Sequence, residues 1–200
     1  MPINIDEAGL VTIFPEIEGI RDPALRRGVV AIWLEIAQEC AWSRLEDIPK
    51  NLEAEKGRRL VDHVRGVTRI ALSMAETAKD HSGTEYDRDA LIAMCLLHDV
   101  SKPLECEPDP DGRPGSDRVL AGRKSKLGKM IQHAVYATHK CFAHGLPLEV
   151  AHVVNTHTHQ SAVRSITVEG AYVFYADYAD SDAVLVPATG KGFVSRWHME

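Results

Sequence analysis

Apolar residues three and four positions apart recur along most of the chain, and that period predicts helices rather than strands. The first strong helix opens at Asp22-Pro23, a polar cap followed by proline at the first helical position. It carries Leu25, Val29, Trp33, Ile36 and Cys40 on one face, with Trp33 and Trp42 read as core or subunit-contact residues. A second helix is expected from about Glu53 to Lys79, with Leu60, Val64, Val67, Ala71, Met74 and Ala78 on one stripe and His63 beside it. A third, capped by Asp87 or Asp89 and stopped by Pro103, contains the run LIAMCLLHDVSK from Leu91 to Lys102. A fourth is expected over Ser125–His144, with Leu127, Met130, Ala134, Ala137 and Cys141 inward. Gly145 and Pro147 then separate it from a fifth, which bears Val150, Val153 or Val154, and His157. A sixth, about Glu169–Asp182, holds Val173, Asp177, Asp180 and Val184 at helical spacing.

No period-two stretch is long enough for more than two short strands, so the expected fold class is all-α: a single-domain helical bundle. Residues 1–21 read as an irregular or short-helical lead-in. Residues 103–123 change character: ECEPDPDGRPGSDR has almost nothing to bury and reads as a loop of the length that often serves as a lid. Its fragment from Asp109 to Gly112 shares only part of a calcium-loop pattern and lacks the closing Glu.

Composition narrows the function. Two hundred residues suffice for one substantial core, and a formal charge of −6 argues against nucleic acid as a stable partner. The N-terminus lacks a basic-plus-apolar signal, and no apolar run reaches the roughly 18 residues of a membrane span. Four cysteines without a C-x-x-C pair fit a reducing cytoplasm, and Cys95 reads as a small buried hydrophobe.

The chemistry lies in ten histidines and their carboxylate neighbours. Seven apolar residues, 91–97, run directly into His98-Asp99, which takes a carboxylate to a buried place where it needs a cation. His63, His133, His157 and Asp177 fall at or beside inward positions of other helices. His157 and His159 are two apart, so only one can face inward, and the spacing favours His157. Each residue alone is more easily structural. Together, four His and two Asp exceed a single tetrahedral zinc and suit two ions with Asp99 between them. Nitrogen and oxygen donors without thiolate fit Fe, Mn, Zn or Co. Arg123, Lys124, Lys126 and Lys129, just before His133, are either a solvated helix start or an anion-attracting rim.

The order His63 … His98-Asp99 … Asp177, the phrase LLHDVSK and the segments HGLPLEVAHVVNTH and VFYADYADS resemble the HD-domain superfamily of metal-dependent phosphohydrolases. The resemblance covers roughly residues 58–182. It divides the chain into an N-terminal helical extension packed on the core (1–57), the metal-binding core (58–182) and a C-terminal tail (183–200). It implies His63, His98, Asp99 and Asp177 as shared ligands and His133 and His157 as completing a second ion. His159 and Asp180 are the alternatives at the last two positions. Lys102 and Asp99 become the catalytic pair, with Lys102, Arg123 and Lys124 holding a small anionic substrate. The implied activity is hydrolysis of a small phosphoester by hydroxide generated at the metals. A di-iron oxygenase resembling inositol oxygenase, a hydratase or lyase, and a non-catalytic metal-binding sensor are the alternatives, and a homo-oligomer is possible.

Overall fold

In the computed structural model, which describes residues 3–52, 55, 57–111 and 121–198, the expected helices form one bundle with a single apolar core. They are α1 (Glu7–Ile13), α2 (Pro23–Glu39), α3 (Leu60–Ser82) and α4 (Arg88–Leu97), then the short α5 (Lys102–Glu105) and α6 (Lys126–Met130). After these come α7 (His133–Ala143), α8 (Leu148–Thr156) and α9 (Val168–Thr189). Among the described residues the only sheet is a pair of three-residue antiparallel strands, β1 (Cys106–Pro108) and β2 (Gly122–Lys124).

Helix α4 organises the bundle. Its residues Leu91–Leu97 are all buried, because α2, α3, α8 and α9 surround it. A helix apolar on every side has no stable place except the interior. Each fully buried Leu, Ile or Met there contributes about 1.5–3 kcal/mol. Asp87, not Asp89, caps it, accepting from the Ala90 N–H; Asp89 instead accepts from the Arg21 and Asp22 amides and ties down the entry to α2. Trp33 stacks on Phe14 and donates its indole N–H to the Leu96 carbonyl at 3.0 Å, and Trp42 donates to the Cys106 carbonyl. Both tryptophans are therefore core residues with their polar ends satisfied.

Five boundaries differ from the expected ones. The third helix ends at Leu97, where His98 caps it, and Pro103 does not stop it but lies in the first turn of the separate α5. Helix α3 begins at Leu60 rather than near Glu53, because residues 48–50 and 58–60 pair with each other instead. The fourth expected helix is two, α6 and α7, broken at Ile131 and Gln132. The reason is a close approach: a side chain at Gly128 would lie 2.0 Å from the Glu105 carbonyl oxygen, so α6 is pinned to α5 and cannot continue in line. Met130, expected inward, is consequently 73% exposed. The stretch read as a loop contains α5 and both strands, while its residues 112–120 lie outside the described residues. The last helix runs past Asp182 to Thr189, so a boundary at 183 cuts it; a 3-10 turn, Phe193–His198, follows. No helix among the described residues is long and apolar enough to cross a membrane.

Candidate metal centre

The run of α4 ends at the centre. His98 is the residue that caps the α4 C-terminus, and His157 caps α8 in the same way. The last carbonyls of a helix lack intrahelical donors. His98 Nδ1 donates to the Cys95 carbonyl at 2.6 Å and His157 Nδ1 to the Val154 carbonyl at 2.7 Å, each three residues back. One construction, used twice, satisfies an orphan carbonyl and fixes the tautomer. Carbonyls only accept, so the proton sits on Nδ1 and Nε2 is left with a lone pair aimed inward.

Those Nε2 atoms meet partners in two places. His98 Nε2 lies 3.2 Å from His63 Nε2, and His63 Nε2 lies 3.2 Å from Asp177 Oδ1. His157 Nε2 lies 3.3 Å from His133 Nε2. Asp99 stands between the pairs. Its Oδ2 is 3.4 Å from His63 Nε2 and 3.6 Å from His98 Nε2, while its Oδ1 is 3.1 Å from His133 Nε2 and 3.6 Å from His157 Nε2. The six residues thus fall into two groups, His63–His98–Asp177 and Asp99–His133–His157, each with ligand-type atoms within 4.8 Å of one another. All six expected ligands are brought together.

The donor set fits divalent cations. Imidazole nitrogens face one another across 3.2–3.3 Å, with the buried Asp99 and the part-buried Asp177 beside them. Without a cation the carboxylates need another positive charge, and His63 supplies it. Burial pulls the His63 pKa down, but hydrogen bonds to Asp177, Asp180 and Asp99 outweigh it and bring it to about 10. A proton there supplies positive charge that an ion would replace. Burial takes His98 down to about 4 and also lowers His133, so neither offers a second proton at neutral pH. Against burial, Lys102 and the surrounding imidazoles hold Asp99 well below the usual carboxylate range, and His63 does the same for Asp177.

The remaining expected site residues divide. Lys102 is largely buried, 3.8 Å from Asp99 Oδ1 and 3.4 Å from Glu105 Oε2; these carboxylates outweigh burial and keep its pKa above the ordinary value. Lys124 pairs with the same Glu105, whose Oε2 is 3.8 Å from His133 Nδ1. Arg123 is exposed and pairs with Glu107 on the facing strand. His159 lies outward, bonded through Nδ1 to the Tyr178 hydroxyl. Asp180 is buried behind His63, with Oδ2 2.5 Å from His63 Nδ1. Glu55 and Arg58 behind the centre, and Lys50 at the edge of the cavity that opens on it, escaped the sequence reading, since nothing marks which of many charged residues in that stretch turns inward.

A cavity of about 130 Å³ opens on the centre, lined by Asp99, Lys102, His133, His157 and Asp177, with Tyr178 and Phe193 on its outer side. A larger one of about 840 Å³, between α2, α4 and the α7–α8 turn, contains none of the six. The chemistry, not the volume, decides between them. A model of the HD-domain family matches residues 60–182. The dihydroneopterin 2',3'-cyclic phosphate phosphodiesterase of Methanocaldococcus jannaschii is 32% identical over 123 residues, 61% of this chain and 46% of that protein. The chain therefore aligns with less than half of that relative's length. No solved structure matches the chain.

Proposed function

The chain belongs to the HD-domain family, and from that premise we propose that it is a metal-dependent phosphohydrolase acting on a small phosphodiester. The observation that carries the reading is Asp99, one buried carboxylate with Oδ2 turned to one donor group and Oδ1 to the other. His63, His98, Asp99 and Asp177 would hold one ion, and Asp99, His133 and His157 a second, each drawn from Fe, Mn, Zn or Co. When bound, such ions polarise a phosphoryl oxygen and lower the pKa of a coordinated water toward about 7.

The chain's own residues supply the rest. Lys102 stays protonated between Asp99 and Glu105, so its ammonium is a donor for a non-bridging phosphoryl oxygen in the adjoining cavity. Glu105 holds Lys102 in place and in turn engages Lys124. The Nδ1 bonds of His98 and His157 keep both rings aimed while substrate exchanges. Tyr178, packed between Phe174 and Phe193, walls the cavity against bulk water. A cyclic phosphodiester, the class named for the M. jannaschii relative, presents a compact monoanionic phosphate that suits this small cavity, which both Lys102 and Lys50 line.

The test is an assay of metal-free protein reconstituted with Fe, Mn, Zn or Co, offered 2',3'-cyclic phosphodiesters, linear aryl phosphodiesters and monoesters. The expected result is ring opening to a phosphomonoester, with water adding across one P–O bond, at a rate unaffected by removing oxygen. Lys102→Ala should keep its metal and lose about 10²–10³ in turnover, as for one lost transition-state charge partner. Failure to cleave any phosphoester with any of these metals, or turnover that stops without oxygen, would reject the reading.

A further inference from the structure

Behind His63 lies a chain of buried charges that reaches the cavity wall at Lys50 and Ser181. His63 Nδ1 meets Asp180 Oδ2 at 2.5 Å, and the same oxygen receives Arg58 Nη2 at 2.5 Å. Arg58 Nη1 donates to the Asp180 carbonyl at 2.7 Å and to Glu55 Oε2 at 3.2 Å. Glu55 pairs with Lys50, whose ammonium also donates to the Ser181 hydroxyl at 2.6 Å. Lys50, Glu55 and Asp180 are each less than a tenth exposed. Two cations and two carboxylates balance, yet a buried ion network is weak evidence of stabilisation, because desolvation offsets its attraction. Its geometry is informative in another way: Glu55 holds Arg58, and Arg58 holds the carboxylate that orients one imidazole.

A second observation, independent of these bonds, involves α3. Gly66 lies one turn after His63, and a side chain there would sit 2.1 Å from Asp180 Oδ1. An interior helical glycine is disfavoured relative to alanine. Here it leaves the space that Asp180 fills. Asp180 cannot swing aside, because Arg58 and His63 hold its other oxygen.

We propose that Asp180, Arg58 and Gly66 form a positioning device for His63, through which the segment preceding the family match sets the affinity of one half of the metal centre. Lys50, Glu55 and Arg58 all precede residue 60, where the match begins. The inference rests on His63 being a ligand, as in the reading above, but not on the reaction catalysed. Asp180 donates no atom to the ion; it holds Nδ1–H so that Nε2 keeps its lone pair and its aim.

The experiment is calorimetric titration of the metal-free full chain with Co(II), with the visible spectrum recorded at each step. It compares the parent with Asp180→Asn, Gly66→Ala, Arg58→Met and Arg58→Lys. One of the two binding events should weaken about 10–100-fold in Asp180→Asn, Gly66→Ala and Arg58→Met, the scale of losing an outer hydrogen-bond partner. The other event should stay within about twofold of the parent, and Arg58→Lys should recover part of the loss. A purely structural role predicts something else for Gly66→Ala: a better helix former, a metal-free melting temperature no lower than the parent's and no change in either event. If Gly66→Ala does not fold, the nearly isosteric Asp180→Asn carries the comparison. Unchanged affinities, or both events weakened alike, would overturn the proposal. A parent that binds no cobalt would instead remove the metal reading itself, and this inference with it.

Discussion

The two halves of the candidate centre are alike in composition and unlike in support. His63 and His98 are wholly buried, and each Nδ1 has a close acceptor, Asp180 at 2.5 Å and the Cys95 carbonyl at 2.6 Å. In the other half only His157 has such a partner. His133 is partly exposed, and its Nδ1 faces Glu105 at 3.8 Å, beyond hydrogen-bond range, while Glu105 is shared with Lys102 and Lys124. His133 is also the first residue of its helix, so it is held by one α7 turn and by Ser101 donating to its carbonyl. The comparison teaches that ligand identity and ligand support are separate properties of the fold. The braced half is the expected high-affinity site; the half beside Lys102 is the expected exchangeable one.

The change with the largest expected effect removes what the halves share. Asp99→Ala should lose both ions, measured as metal per chain after reconstitution and desalting, because each half loses an oxygen ligand and the remaining imidazoles lose their balancing charge. Retention of two ions would mean that the halves are independent. A smaller effect is expected from His133→Ala, which should drop the stoichiometry from two to one and leave the tighter event in place. If the tighter event disappeared instead, the assignment of strong and weak halves would be reversed.

The legibility of the site in the sequence follows the same divide. His98 and Asp99 followed seven apolar residues with no other place to go, and His157 and Asp177 sat at helical spacing within apolar stretches, whereas His63 lay beside its stripe and His133 just after a basic run. The six-helix pattern was legible from the same helical spacing. What was not legible depended on contacts between distant segments. Asp180 was readable as near the site, but its place behind His63 depends on the missing side chain of Gly66, 114 positions earlier in the chain. Nothing local to Arg58 or Lys50 marks them as buried; the pairing of 48–50 with 58–60 and their bonds to Asp180 and Ser181 of α9 put them there. The break before His133 likewise came from Gly128 meeting α5, a close approach that no local propensity encodes. Periodicity reports which face is buried, and it is silent on what each buried group touches.

The smallest expected effect is in a charge cluster remote from the centre, which calibrates how much a less buried network contributes. Lys140 is buried between Glu35 at 2.9 Å and Glu39 at 2.6 Å, and Glu35 also meets His144 Nε2 at 2.5 Å. Hydrogen bonds from His144 and Lys140 lower the Glu35 pKa from its ordinary 4.5. A lowered folded-state pKa gives stability that is present above the unfolded value and lost as pH falls through the folded one. Glu35→Gln should therefore flatten the fall in melting temperature between about pH 5 and pH 3 relative to the parent. The difference at neutral pH should stay under about 1 kcal/mol, since Glu35 is 40% exposed and solvent screens the pair. A parallel acid profile in the two proteins would show that the cluster contributes nothing through Glu35.

The central claim is that one carboxylate serves two ions, and the most direct measurement is made on the parent chain. Metal-free protein titrated with Mn(II) should bind two ions per chain. Its electron paramagnetic resonance spectrum should change from that of an isolated ion at one equivalent to that of an exchange-coupled pair at two, as neighbouring ions about 3.5–4 Å apart require. Saturation at one ion per chain, or two ions whose spectra simply add, would contradict it.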